Sequence, residues 1–203
     1  NNGKYGIYLD PVINGIIDNN IVENNGTGIY LEYSDNNIIS NNIVRKNLYN
    51  GIRLDYSNNN IIENNLAENN GDDGIELVGS NNNSILNNLT KNNVCNGIVL
   101  SGSCNNSLIS SNTMENNYYG IRIFNSDNCL ISSNTVENNG DYGICLDSSD
   151  NSTISGNTIG NNSSDGIYLS GSDNNLISNN VVKNGYNPSI ELEYSDNNLL
   201  FNN

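Results

Sequence analysis

Three carboxylates recur at one position of a repeating unit. They are Asp10, Glu32 and Asp55, spaced by 22 and 23 residues, with Arg53 two places before the last. Carboxylate oxygens brought together suit a hard cation such as Ca²⁺. Two carboxyls facing a glycosidic bond can also act as acid and base. Both uses need the column to hold its chemistry, and it continues instead as Val78, Ser101 and Phe124. No His is present to take a proton. The expectation is therefore a solvated acidic face that keeps the molecule soluble. On this reading the chain is not an enzyme, has no catalytic residues, and holds at most a weakly bound Ca²⁺ at Asp10, Glu32 and Asp55. Copper is not expected, because it wants His, Cys or Met and Met114 falls in an apolar column.

What positions these residues is a repeat. Gly6-Ile7-Tyr8-Leu9 returns at Gly28, Gly51, Gly74, Gly97, Gly120, Gly143 and Gly166, and Ser189-Ile190-Glu191-Leu192 closes the series. The spacing is 22 once and 23 seven times. A period of this size marks stacked units rather than an ordinary domain. Within the unit from Gly28, Ile29-Tyr30-Leu31 alternates like a strand with one buried face. Ser34 to Asn37 is a turn, Ile38-Ile39-Ser40 a second strand, Asn41-Asn42 a corner, and Ile43-Val44-Arg45 a third strand. Lys46 to Asn50 leads back to the next Gly. No window is left for a helix.

Stacking the units aligns their apolar residues. Every coil from Ile7 to Ile190 has Ile at the same place, after Gly in all but the last, and a second column runs from Leu9 to Leu192. A third runs from Ile17 through Ile39 to Leu200, and a looser fourth from Val22 to Val182. Alone, no coil can bury its apolar face; stacked, they share one core. Asn20, Asn42, Asn65, Asn88, Asn112, Asn134, Asn157, Asn180 and Asn203 form an unbroken column at the corner. Asn accepts left-handed backbone geometry, and stacked amides can bond in a ladder. The Gly ahead of the first strand should meet either a positive φ or a close backbone approach. The fold class expected is all-β: a right-handed parallel β-helix of about nine 23-residue coils with three short strands each, residues 1–203 forming one domain uncapped at both ends.

Composition excludes several roles. Asn supplies 52 of 203 residues, and seven Lys plus Arg stand against 22 Asp plus Glu, for a net charge of −15. Nucleic-acid phosphates need a basic surface, so that partner is excluded. No apolar run is long enough to insert in a bilayer. Repeats such as 166–182, Gly-Ile-Tyr-Leu-Ser-Gly-Ser-Asp-Asn-Asn-Leu-Ile-Ser-Asn-Asn-Val-Val, resemble the parallel β-helix repeats grouped with NosD-like and carbohydrate-binding proteins, abundant in archaeal cell-surface, surface-layer and sheath proteins. The resemblance covers the whole chain. It implies the fold, and it implies functions as varied as lyase, hydrolase, adhesin, copper-site maturation factor and surface-layer component. In lyases of this kind carboxylates hold Ca²⁺ and Arg or Lys is the base.

Cysteine, tyrosine and sequon positions complete the candidates. Cys104 and Cys129 fall in the same turn of neighbouring coils, offset by a residue or two, which makes them candidates for a disulfide. Cys145 takes the outward place of Gly-Ile-x-Leu and Cys95 lies in another turn; both are candidates for intermolecular thiol links. Tyr8, Tyr30 and Tyr168 share one face, and Tyr33, Tyr56 and Tyr194 another, as sites for sugars or partner proteins. Asn25, Asn161 and Asn162 head sequons in turns and are the glycosylation candidates.

The ends suggest assembly. The sequence opens at Asn1-Asn2, equivalent to Asn24-Asn25, with no signal peptide, and closes at Asn203, equivalent to Asn180. This reads as a processed product or a piece of a longer array. Solenoids need caps, because open coil ends expose strand edges. Ile7, Leu9 and Ile17 at one end and Ile190, Leu192 and Leu200 at the other would stack head-to-tail. The function expected is an extracellular structural protein of a surface layer, sheath or filament whose partners are copies of itself and glycans. A carbohydrate-binding or carbohydrate-modifying β-helix is the alternative, and an adhesin spacer the third.

Overall fold

The computed structural model describes residues 3–183 and 187–203; Asn1-Asn2, where the terminal register match begins, lies outside the described residues. It is a right-handed parallel β-solenoid. Each turn contributes one strand to each of three sheets, and these contain nine, nine and eight strands among the described residues. In the second coil the strands are Thr27–Glu32, Ile38–Ser40 and Ile43–Arg45. Like aligns with like: Ile29 pairs with Ile52 and Leu31 with Leu54 in the first sheet, and Ile39 with Ile62 in the second.

The four apolar columns form one core, with Ile52, Leu54, Ile62 and Ala67 fully buried in a single coil. At the ends, Ile7, Leu9, Ile190 and Leu192 are half-buried against that core, Ile17 is buried and Leu200 is 42% exposed.

The corner asparagines do form a ladder. Asn65 Oδ1 accepts from the backbone N–H of Asn42 at 2.9 Å and from its Nδ2 at 3.0 Å. Asn65 Nδ2 donates in turn to Asn88 Oδ1 and to the Ile39 carbonyl. These bonds satisfy amides that would be costly to bury unpaired. The left-handed residue is not the ladder Asn. It is the residue before it, as at Asn41, Asn64 and Asn87, with φ of 54 to 56°. Turning the chain there aims the next side chain inward.

A second ladder escaped the sequence reading. Asn47, Asn70, Asn93, Asn117, Asn139 and Asn162 stack at the third turn, each bonded to the next across the coils. The first turn carries Ser and Asn columns of the same kind, in which Ser34 N–H donates to Ser57 Oγ and Asn37 N–H to Asn60 Oδ1. At the repeated Gly the expectation of a close approach holds. A Cβ on Gly74 would stand 2.7 Å from the Gly97 carbonyl oxygen and 2.9 Å from Thr90 Cβ.

Candidate functional site

The first sheet's outer face, next to the third turn, carries the chemistry. Along the mid-strand column stand Tyr8, Tyr30, Arg53 and Glu76, aligned by the parallel register. One step outward are Asp10, Glu32 and Asp55; one step before the Gly are Asn50, Asp73 and Asn96. Each coil thus places one residue of each column about 4.8 Å from its neighbour.

Hydrogen bonds tie the columns together. Tyr8 donates to Glu32 Oε2 at 2.7 Å and lies 3.0 Å from Asp10 Oδ2. Tyr30 donates to Asp55 Oδ2 at 2.8 Å. Arg53 spends three N–H groups on two carboxylates: Nε and Nη2 on Asp55 at 2.9 and 3.1 Å, Nη1 on Glu76 at 2.6 Å. Asn50 Nδ2 spans Glu76 Oε2 at 3.1 Å and Asp73 Oδ2 at 3.4 Å. Asp73 Oδ1 accepts from Asn96 twice, at 2.8 and 2.7 Å. A groove of about 400 Å³ runs beside this network, walled by Lys4, Tyr5, Tyr30, Tyr49, Arg53 and Asp72.

Burial tunes two of these carboxyls. Asp73 is 5% exposed, and desolvation raises its pKa to about 6 against the pull of Asn96. The Glu76 side chain is 17% exposed; desolvation raises it to about 7, outweighing the Arg53 charge that favours the ionised form. Both titrate near neutrality, as general acids and bases must. Tyr30 is raised, by burial first and then by its bond to Asp55.

The acidic column is therefore not a free solvated face. Asp10, Glu32 and Asp55 face tyrosine hydroxyls and a guanidinium, and they do not converge as a cation cage. Among the described residues the one set of three carboxylate or thiol atoms within 4.8 Å of one another is Asp72, Asp73 and Cys95. The Cys95 thiol is pushed up to about 12 by burial and by its bond to Asp72, which keeps it protonated.

Glu76 and Asp73 were missed because only one outward column was followed. The signal was present: Arg53 and Glu76 occupy the same place in adjacent repeats, and Asp73 precedes a repeat Gly.

Several of the tyrosines stack on one another, while Tyr8, Tyr33, Tyr56 and Tyr194 remain exposed. The rings of Tyr8 and Tyr30 stack at 5.3 Å, those of Tyr33 and Tyr56 at 5.5 Å, and those of Tyr142 and Tyr168 at 4.6 Å. Each such stack covers one face of each ring. Tyr30 is only 7% exposed, and Tyr168 donates to Glu193 at 2.7 Å.

All four cysteines are free thiols. Cys104 and Cys129 share the first turn but stand in different columns. Cys104 replaces a Ser and is aligned with Ser80 and Ser126, while Cys129 follows Ser107. An extra residue in the first turn, accommodated at Gly102 and Ser103 with φ of 66 and 73°, caused the misjudged offset. Cys129 Sγ lies 3.6 Å from the Cys104 carbonyl oxygen. Cys145 is outward on its strand yet 5% exposed, with its thiol pushed up to about 12 by burial, so it is not a surface thiol. Asn162 is 4% exposed and part of the second ladder, which removes it as a glycan acceptor. Asn25 is half-buried and bonded to Asn47 in that ladder. Asn161 is exposed.

Residues 1–128 match the family described as "Right handed beta helix region". The chain belongs to this family. Residues 102–203 also match the model described as "Periplasmic copper-binding protein (NosD)". The donor set does not fit copper: there is no His, Met114 is fully buried in the core, and the thiols of that half are buried at separate places.

No curated protein matches the chain. Among solved structures it is similar to the Azotobacter vinelandii mannuronan C-5 epimerase AlgE6 A-module, with TM-score 0.77 and 20% identity over 93% of this chain and 58% of that one. The periplasmic alginate epimerase AlgG gives TM-score 0.79 and 21% identity over 94% and 51%. Pectate lyase Pel9A gives 0.69 and 14% over 97% and 66%. The chain thus spans about half to two thirds of these structures. At such identities the likeness is one of fold. It nonetheless overturns the expectation of a non-enzyme, because solved proteins built on this solenoid are by description epimerases and a lyase.

Proposed function

We propose that this chain is the β-helix of a polysaccharide-modifying enzyme that acts outside the cytoplasm. The observation that carries the reading is the pair of carboxyls, buried Asp73 and half-buried Glu76, bridged by Asn50 beside a groove and opposed across Arg53 by Asp55. Glu76, near half-protonation at neutral pH, is the proton donor or acceptor toward a bound sugar. Asp55, held by Arg53 and Tyr30, is the second carboxylate. Asp73 and Asn50 position Glu76. The extended solenoid suits a long polymer laid along the first sheet, and the descriptions of the epimerase and lyase structures support that substrate class.

The test is product formation from a panel of polysaccharides, read as new reducing ends, unsaturated ends or changed sugar configuration. Glu76→Gln should cost at least about 100-fold, the usual share of one acid–base group. Full activity of Glu76→Gln with unchanged folding would sink the assignment.

End-to-end stacking is a second reading. It rests on the apolar edge at the last coil, where Leu199 is 58% and Leu200 42% exposed. Further coils of a longer chain would cover the same edge. Sedimentation of the protein at rising concentration decides it: a monomer throughout removes the filament.

A further inference from the structure

We infer that the outer face of the second sheet is a docking surface for a second copy of this chain, and that two solenoids pair there side by side. This contact is separate from the groove on the first sheet and from the coil ends.

The face consists of two outward columns, one on either side of the buried column that includes Ile39 and Ile131. The first is an apolar ridge. It runs from Ile16 and Ile38 through Leu108 and Leu130 to Leu199, interrupted by Ser84 and Thr153. Ile16 is 70% exposed and Leu130 41%. The second is a furrow of small side chains, Ser110, Ser132, Ser155 and Ser178, on four successive coils. Part of its hydrogen bonding is satisfied within the column, where Ser132 Oγ donates to Ser110 Oγ at 3.2 Å. Contiguous exposed apolar surface of this kind marks an interaction site, unlike single scattered residues.

Charge, shape and area choose the occupant. The chain carries a net charge of −15, so two copies repel through most of their surface. On the second sheet the charged residues are Asp18 and Glu63, both in the first three coils. The strands from Ser84–Leu86 to Leu199–Phe201 carry none. Their flanks are charged, with Asp127, Asp150 and Asp173 in the first turn and Glu115 and Glu137 on the third sheet. An uncharged centre inside a charged rim is the anatomy of a protein interface. Two copies meeting here bury no charged side chain of those strands. Both also repeat at about 4.8 Å, the strand separation. A two-fold contact therefore sets the ridge of each copy into the furrow of the other in matching steps. A five-residue side of roughly 16 Å and nine coils of roughly 40 Å give about 640 Å² per copy. The total of about 1,300 Å² falls at the low end of specific interfaces, so pairing should depend on concentration.

The experiment is sedimentation of the whole chain at rising concentration, in low and high salt. A monomer–dimer equilibrium is expected that stops at two copies. It should tighten as salt rises, because ions screen the repulsion between two chains of like charge. Leu130→Glu places a charge on the ridge, and Ser132→Glu fills the furrow. Each should weaken the dimer at least about tenfold, the scale of one residue central to an interface, with the melting temperature unchanged. A dimer that neither variant weakens overturns the inference. An assembly that grows beyond two copies, and still grows in Leu130→Glu, belongs to the coil ends and overturns it too. A parent that stays monomeric at every concentration and salt also overturns it. Loss of polysaccharide binding in Leu130→Glu would then assign the face to a glycan.

Discussion

Glu76 Oε2 accepts from Arg53 Nη1 at 2.6 Å, and the same oxygen is 3.1 Å from the Asn50 amide. A carboxylate so paired would ordinarily ionise more readily. Burial wins here, and Glu76 is raised to about 7. Glu76 can therefore hold or release a proton near neutral pH while Arg53 and Asn50 occupy one of its two oxygens.

This has a consequence for stability. Glu76 and Asp73 are raised in the folded protein from 4.5 to about 7 and from 3.8 to about 6. The folded state therefore binds more protons than the unfolded state across that window. Their contribution is fully present below pH of about 4 and is lost as pH rises through 6 to 7. Melting temperature should be higher at pH 5 than at pH 8, by an amount equivalent to roughly 2 kcal/mol for each group. Glu76→Gln should flatten the slope. Stability that rises from pH 5 to 8 would contradict the burial of these groups.

The Asn ladder predicts a large local cost. Asn112 Oδ1 accepts from Asn88 N–H and Nδ2, and Asn112 Nδ2 reaches the Ile85 carbonyl and Asn134 Oδ1. Asn112→Ala leaves several buried groups unpaired and should destabilise by about 2–5 kcal/mol. Denaturant unfolding reads this directly, and an effect near zero would show that the column is not internal.

Two glycines should behave oppositely. Gly74→Ala sets a Cβ 2.7 Å from the Gly97 carbonyl oxygen and 2.9 Å from Thr90 Cβ, so overpacking should cost about 1–3 kcal/mol or more. Gly102 has φ of +66°, and its nearest heavy atom to a Cβ is 3.9 Å away. Asn tolerates that backbone, so Gly102→Asn should be close to neutral. Equal losses in thermal melts would refute the difference.

Thiol chemistry gives a fourth check. Cys104, Cys129 and Cys145 are each 5% exposed or less, and burial pushes their thiols up. Since only the thiolate reacts quickly, these three should alkylate only on unfolding. Peptide mapping after alkylation also shows whether Cys104 and Cys129 pair. Rapid labelling of Cys145 in the folded protein would mean that its strand face is open.

Much of this molecule was legible in one dimension. A parallel solenoid with a 23-residue period turns sequence columns into spatial columns, so Ile29 over Ile52 and Asn42 over Asn65 could be read directly. The core, the three strands per coil and the corner ladder follow from that periodicity alone. Residue type in one column does not report on its neighbours around the coil. Asp55 looked like a solvated acid until Tyr30 and Arg53 were seen on it. Glu76, outside the acidic column that the sequence singles out, joins the site only through Arg53 and the third-turn residue Asn50 on the neighbouring coil. Asn162 looked like a turn sequon until the second ladder claimed it, and outward Cys145 is covered in the folded chain. Burial and pairing depend on how side chains from different columns lean across one another, and only the tertiary structure decides that.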